Sequence, residues 1–381
     1  MTVPQMVGIS ISDVNSYCVL LVNDPGMGWV ARPIVGGMPC YWVWSLTVDA
    51  ATNTIWVADS EYPTNIFKST DLGITWSLIV PRQSGSDPPE LLGIDGIFIQ
   101  NGQLETVEQG LLPLHLLRSS DGGVSWSDVG YATHALNWYW HSDSLSFPDG
   151  KGSVHWIYTT GFPSYETLWY ARSLDNGLTI EAPIDLGTST YSGGWSTTAI
   201  AAKDNWVYAV YIDFRTSPFR SDVWYSYSNN YGAAGSWTIK QLLYTSATNW
   251  NVRADGDNMS PYVGIDGTYV YAAVWEWQRG WPYDRHMKIY RSPLGSSWAL
   301  QYTIPLPQDY YAGVGATIAP PLWDSTPAMP LFYGVYEWPS DVVQVYCNTD
   351  VVWSFDNGGD YFDFAPTLVS PVAAKNRSFW W

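Results

Sequence analysis

Basic residues are scarce in this chain. Seventeen lysines and arginines stand against 35 carboxylates, a formal net charge of −18. They form no run or stripe, so the electrostatic footprint of a nucleic-acid binder is missing and no nucleic-acid partner is expected. Charge of either sign is thin, 14% of residues, which argues against a halophile-style solvation surface and fits a protein facing an outside or acidic medium. Cysteine is nearly absent: Cys18, Cys40 and Cys347 are an odd number without ligand-type spacing. The five histidines, His115, His134, His141, His155 and His286, are scattered, so neither a metal nor any other cofactor is expected. Asp255-Gly256-Asp257-Asn258 lacks the remaining ligands of a calcium loop. A Gly-rich phosphate loop and a Gly-x-Ser-x-Gly elbow are both missing. No apolar run is long enough to span a bilayer, and residues 1–11 lack the charged and apolar parts of a signal peptide. Helical periodicity is scarce as well.

What is present is aromatic and repetitive. The chain has 24 tryptophans and 27 tyrosines. Short runs rich in Val, Ile, Tyr and Trp are punctuated by Gly, Pro and Ser/Asn/Asp clusters, the pattern of an all-β chain. Two octapeptides, 69–76 and 119–126, read Ser-x-Asp-x-Gly-x-(Thr/Ser)-Trp, with Asp71, Trp76, Asp121 and Trp126 at the marked places. A third, starting at Ser173 with Asp175, lacks only the Trp, and one near the start keeps Asp24, Gly26 and Trp29. Copies starting at Ser228, Ser292 and Ser354, the last with Asp356, have drifted further. The seven starts are separated by 47, 50, 54, 55, 64 and 62 residues. Asp and Ser oxygens that bond turn amides, a Gly that supplies positive φ and a Trp that covers the turn describe a hairpin between two strands. One hairpin per roughly fifty residues is one supersecondary unit per repeat.

The octapeptide resembles the Asp box of sialidases and related β-propellers, and the resemblance covers nearly the whole chain. It implies a seven-bladed β-propeller of four-stranded antiparallel blades with the box joining the third and fourth strands, or six blades if the copy at 22 is accidental. The array leaves no room for a second domain, so residues 1–381 read as one propeller. About twenty residues before the first box are too few for three strands. The C-terminal stretch, ending Arg377-Ser378-Phe379-Trp380-Trp381, is therefore expected to supply the last blade's outer strand and then a strand to the first blade. Cys18 and Cys347 fall on third strands of the first and last blades, where a closing disulfide is one arrangement. Proteins of this kind are mostly secreted or surface-exposed, so an extracellular or surface-displayed chain is expected, a virus particle included, assembled with other surface or virion proteins.

A second pattern precedes five of the boxes: an aromatic, four residues, a carboxylate or Gly, then an aromatic. Its copies are Trp56/Glu61/Tyr62, Trp156/Gly161/Phe162, Tyr208/Asp213/Phe214, Tyr271/Glu276/Trp277 and Phe332/Glu337/Trp338. The second half sits at the opposite end of the blade from the boxes, where repeated acids either ring one mouth of the central channel or simply mark solvated strand ends. Adjoining loops carry Trp138 and Trp140, Arg215, and Arg279, Trp281 and Arg285. Aromatic faces interleaved with carboxylates and guanidinium groups suit sugar rings and equally suit protein hot spots. Sialidases need an arginine triad beginning in Arg-Ile-Pro, which this chain lacks. Its earliest arginine, Arg32, follows the first box on an outer strand, while Arg118, Arg172 and Arg291 precede boxes as scaffold positions. A glycoside hydrolase would use a carboxylate pair, for which Glu276, Glu337 and Asp213 are the candidates. The reading is therefore a non-catalytic recognition propeller for glycan or glycoprotein, with a polysaccharide-cleaving enzyme and an architectural virion propeller as the alternatives.

Overall fold

The computed structural model describes residues 6–11, 17–24, 26–35, 43–49, 52–59, 65–79, 91–100, 103–110, 115–131, 144–146, 153–160, 167–175, 179–189, 198–216, 219–251, 262–265, 268–278, 285–305, 316–318, 331–337, 342–347, 350–356 and 362–363. These residues form strands and no helix. Sheet one opens with β1 (Met6–Ile11), β2 (Tyr17–Asp24) and β3 (Gly28–Ile34). Sheet two is β4 (Val43–Asp49), β5 (Thr54–Asp59), β6 (Ile66–Ser69) and β7 (Ser77–Ile79). Sheet three is β8 (Leu91–Gln100), β9 (Gln103–Gly110), β10 (His115–Ser119) and β11 (Ser127–Tyr131). Sheet four is β12 (Ser144–Ser146), β13 (Val154–Thr160), β14 (Thr167–Ser173) and β15 (Ile184–Thr188).

Sheet five is β16 (Thr198–Lys203), β17 (Trp206–Thr216), β18 (Phe219–Ser228) and β19 (Trp237–Thr245). In sheet six, β20 (Trp250–Asn251) and β21 (Tyr262–Ile265) pair with opposite ends of β22 (Tyr269–Gln278), followed by β23 (Arg285–Pro293) and β24 (Ala299–Pro305). Sheet seven is β25 (Ala316–Ile318), β26 (Leu331–Glu337), β27 (Val342–Cys347) and β28 (Asp350–Asp356). Last, β29 (Phe362–Asp363) pairs antiparallel with β1, Ile11 opposite Phe362 and Ser10 opposite Asp363, giving sheet one the order β29-β1-β2-β3. The described residues are thus all-β, built of antiparallel sheets that are four-stranded except for sheet six, which has five strands. First strands lie beside first strands in chain order, from β4 and β8 through β12, β16 and β21 to β25, while β1 lies beside β4 and β28 beside β3.

Where side chains are described, alternation along the strands gives a sheet two apolar faces, and the core lies in walls between neighbouring sheets. One wall packs Cys18, Leu20, Val22 and Ile34 of sheet one on Ile55, Val57 and Phe67 of sheet two. The wall between sheets four and five joins Ile157, Leu168, Tyr170 and Leu186 to Val207, Ala209 and Tyr211. That between five and six joins Tyr208, Val210, Ile212 and Val223 to Val270, Ala272 and Val274.

The repeated turn has the geometry its spelling predicts. Ser69 Oγ donates to Asp71 Oδ1 at 2.8 Å and accepts from Gly73 N at 2.8 Å, while Asp71 accepts from Thr75 N at 2.9 Å and from Thr75 Oγ1 at 2.5 Å. Trp76 Nε1 closes the turn on Gly73 O at 3.1 Å. The copy at Ser119 repeats all five bonds, and that at Ser173 keeps the Asp175 bonds to Thr179. At Ser228, Ser236 replaces the Asp as partner of the Ser, at 2.6 Å, and Trp237 Nε1 still reaches Gly232 O at 3.1 Å. Near the start, Asp24 Oδ1 accepts from Gly26 N at 2.9 Å. The copy at Ser354 is different: Ser354 and Asp356 lie inside β28, opposite Gln344 and Val342, so Asp356 is not a turn residue. Val351, Val352, Trp353 and Phe355 carry the strand through the Ser and Asp, and the third and fourth strands of sheet seven pair from Cys347 opposite Asp350. That outer strand therefore comes from 350–356, ahead of the expected tail, and residues 379–381 lie outside the described residues.

The turns also fasten neighbouring sheets. In three of them the fourth residue is left-handed, Leu72 at φ 60°, Gly122 at 73° and Tyr231 at 52°, which turns its carbonyl toward the preceding sheet. Arg32 Nη1 donates to Leu72 O, Lys68 Nζ to Gly122 O at 3.1 Å, and Arg172 Nη1 to Tyr231 O. In sheet five an aromatic takes the role: Tyr208 Oη accepts from Gly295 N at 2.7 Å. Glycine stands in the turn where the preceding sheet comes close. A Cβ at Gly73 would stand 2.8 Å from Leu20 Cδ2, one at Gly295 2.8 Å from Trp206, and one at Gly232 would overlap the Tyr170 hydroxyl. Gly232→Ala and Gly235→Ala share the left-handed penalty of about 1 kcal/mol, but nothing lies within 4 Å of a Cβ at Gly235. Thermal denaturation is expected to show Gly232→Ala losing clearly more than Gly235→Ala, and equal losses would remove the inter-sheet latch.

His155, fully buried, holds the Tyr170 hydroxyl at 2.6 Å. Burial first, then the Arg172 charge, depresses its pKa to about 3. The imidazole is neutral in the fold, whereas the unfolded chain protonates it near 6.5. Its contribution to stability is complete above that value and is lost as pH falls toward 3, with a slope of up to about 1.4 kcal/mol per pH unit. Denaturant titrations at pH 7, 5.5 and 4.5 are expected to show this slope, reduced in His155→Gln.

Candidate functional site

Third strands end at the repeated turns, so second strands end at the opposite edge, and there the repeated carboxylates sit. The two whose side chains are described are buried rather than solvated. Asp213 and Glu276 are each 4% exposed, and their register positions place them on the walls toward the preceding sheet. Asp213 lies opposite Asp222, also buried, which accepts from Thr245 Oγ1 at 2.8 Å. Glu276, opposite His286, faces across to sheet five. The register fixes this: Val270, Ala272 and Val274 on the same face of β22 pack on sheet five.

Glu276 is the centre of a polar trio in that wall. Its Oε2 pairs with Lys288 Nζ at 2.6 Å, and its Oε1 accepts from the Tyr244 hydroxyl at the end of β19. Lys288 Nζ also donates to Tyr244 Oη at 2.7 Å and stands 4.3 Å from the centre of that ring. Burial, then the hydrogen bond and charge of Glu276, push the Tyr244 phenol well above its usual range, and burial beside the same carboxylate does so for Tyr290. Tyr244 is therefore a protonated donor at neutral pH, not a nucleophile, and both Glu276 oxygens are committed. Two residues further toward the sheet end, Trp250 stacks on His286, ring centres 5.2 Å apart and planes 23° apart, both rings half-buried. The chain between Tyr244 and Trp250 is pinned by Ser246, whose N donates to Ser221 O and whose Oγ donates to Trp250 O at 2.7 Å.

Of the sequence candidates, then, Glu276 and Asp213 are placed in walls between sheets. Glu337 closes β26 opposite Val342, and Phe214, Arg215, Trp277 and Arg285 are placed by register opposite Ser221, Arg220, Arg285 and Trp277; the side chains of these five are outside the described residues. Glu61, Tyr62, Trp138, Trp140, Arg279, Trp281 and Trp338 lie outside them altogether. Sequence reasoning missed Tyr244, Lys288 and Asp222. Lys288 had left a trace, since in Met287-Lys288-Ile289-Tyr290 it holds a position whose parity matches that of the wall residue Tyr290. It also misaligned one copy of the second pattern: in sheet four His155 rather than Trp156 occupies the place of Trp56 and Tyr208, opposite the residue before the turn serine. Among the described residues no group of three or more His, Cys, Asp or Glu is gathered to hold a metal ion.

Removing Lys288 strands a buried carboxylate. Lys288→Met is expected to cost about 3–5 kcal/mol, and Glu276→Gln in the same chain to recover most of it. Urea denaturation of the two single variants and the double variant checks this, and additive losses would deny the pair.

No protein-family model and no curated protein matches the sequence. Solved structures do resemble the fold. An ulvan lyase, described as founding a new polysaccharide lyase family, superposes with TM-score 0.51 at 11% identity, covering 84% of this chain and 81% of its own. A GH74 xyloglucanase from Xanthomonas campestris gives 0.46 at 14% identity over 85% and 48%, and an α-L-arabinanase from Penicillium chrysogenum 0.46 at 12% over 74% and 83%. What this chain shares with the ulvan lyase is its fold, that of the β-propeller.

Proposed function

We propose that this chain is a seven-bladed Asp-box propeller, a single domain over residues 1–381 closed by pairing of β1 with β29. It takes hold of a glycan, free or on a glycoprotein, at the edge opposite the turns, as a binding module displayed at a cell or particle surface. The supporting observation is the Trp250–His286 stack beside the Tyr244–Lys288 hydrogen bond. It sets an aromatic platform next to polar groups on one sheet face. Binding is preferred to cleavage because Glu276, the central candidate acid, is closed by Lys288 and Tyr244. Cleavage of a polysaccharide is the second reading, and what favours it is that the ulvan lyase, alike in fold, acts on one.

Affinity electrophoresis through gels cast with a panel of polysaccharides, with parallel assay of reducing and unsaturated ends, tests this. Retardation by at least one polysaccharide, weakened in Trp250→Ala, without new ends, is the expected outcome. Ends released by the wild-type chain would replace binding with cleavage, and no retardation anywhere would leave the architectural reading.

A further inference from the structure

Resting on that reading, we infer that Tyr244, Lys288, Trp250 and His286 form one sugar subsite that selects an uncharged sugar. The four gather on a single wall. His286 and Lys288 are two residues apart on β23, Glu276 is the register partner of His286, and Trp250 is the partner of Gln278, two residues beyond Glu276. Tyr244 reaches the same patch from sheet five.

The hydrogen-bond inventory leaves a specific remainder. Lys288 has three N–H donors; one goes to Glu276 and one to Tyr244, and the side chain keeps 18% exposure. Tyr244 donates to Glu276 and accepts from Lys288, which leaves its second lone pair. One donor and one acceptor 2.7 Å apart match two neighbouring hydroxyls on a sugar ring, one accepting and one donating. The half-buried Trp250–His286 stack beside them offers a face for the C–H side of that ring.

Charge decides the class of sugar. The Lys288 ammonium is already cancelled by Glu276 at 2.6 Å. A ligand carboxylate would face a neutralised cation with a carboxylate behind it, on a chain of net charge −18. It would shed water without gaining a charge partner. A hydroxyl pair carries no such cost.

The test is affinity electrophoresis through a neutral arabinan, a neutral xyloglucan and polygalacturonate at one ionic strength. Wild-type chain is expected to be slowed by a neutral polymer and not by polygalacturonate. Tyr244→Phe is expected to weaken the neutral interaction about tenfold, the worth of one or two hydrogen bonds, with the folded circular-dichroism spectrum retained. Trp250→Leu, which leaves the trio intact, is expected to weaken it similarly and serves if Tyr244→Phe fails to fold. Retardation by polygalacturonate equal to or stronger than by the neutral polymers overturns the inference and leaves glycan binding standing. So does a folded Tyr244→Phe that binds like wild type. No retardation by any glycan removes the glycan reading and the subsite with it.

Discussion

A left-handed residue in the repeated turn, seen at Leu72, Gly122 and Tyr231 with its carbonyl offered to the sheet before it, is the constraint on which the rest of this structure depends. The antiparallel ladders account for each sheet alone, but nothing in a ladder fixes one sheet against another. Leu72, Gly122 and Tyr231 do so by presenting one peptide oxygen to Arg32, Lys68 and Arg172. The Ser of the turn, bonded to the Asp or at Ser228 to Ser236, holds the backbone in that conformation, so the turn is both a hairpin and a docking point. Glycine at the next position then removes the side chain that would stand between the sheets. Arginine and lysine serve the role because their long stems cross the wall while the charged head finds a carbonyl. Tyr208 replaces them in sheet five by reversing the bond, accepting from a turn amide.

This explains what was legible in the sequence and what was not. The turn is a local object: Ser69, Asp71, Gly73, Thr75 and Trp76 satisfy one another within eight residues, so its spelling survives in the sequence. The copy at Ser354 deceived because serine, aspartate and glycine also fit inside or just after a strand, and only the pairing of Ser354 with Gln344 distinguishes the cases. The same locality made Arg172 readable as scaffold, since it adjoins its turn, whereas its acceptor 59 positions away was not readable.

The candidate site is the opposite kind of object. Tyr244, Glu276 and Lys288 come from two sheets and are 32 and 44 residues from one another along the chain when counted from Tyr244. No short spelling marks them. Glu276 was visible because it recurs at the position of Asp213, but recurrence said nothing of burial, and its partner could be found only once the sheets were laid side by side. A strand-end acid in a meander is ordinarily solvated. Here the wall is closed by the outer strand β19, which brings a phenol over the carboxylate and leaves Lys288 as the counter-ion.

The walls on either side of sheet five show why this location is distinctive. On the wall toward sheet four, Asp213 and Asp222 are buried as register partners, and a lysine, Lys240, passes over Trp224 to reach Thr188 O at 2.6 Å. On the wall toward sheet six, a lysine meets a carboxylate directly and a phenol at once. An apolar wall of the kind made by Cys18, Leu20, Ile55 and Val57 would hold two sheets together without the cost of burying charge. A neutral, hydrogen-bonded trio beside half-buried rings thus adds little that packing could not supply. It does place one donor and one acceptor at the sheet edge with their geometry fixed in advance, which is what recognition of a small hydroxylated ring requires.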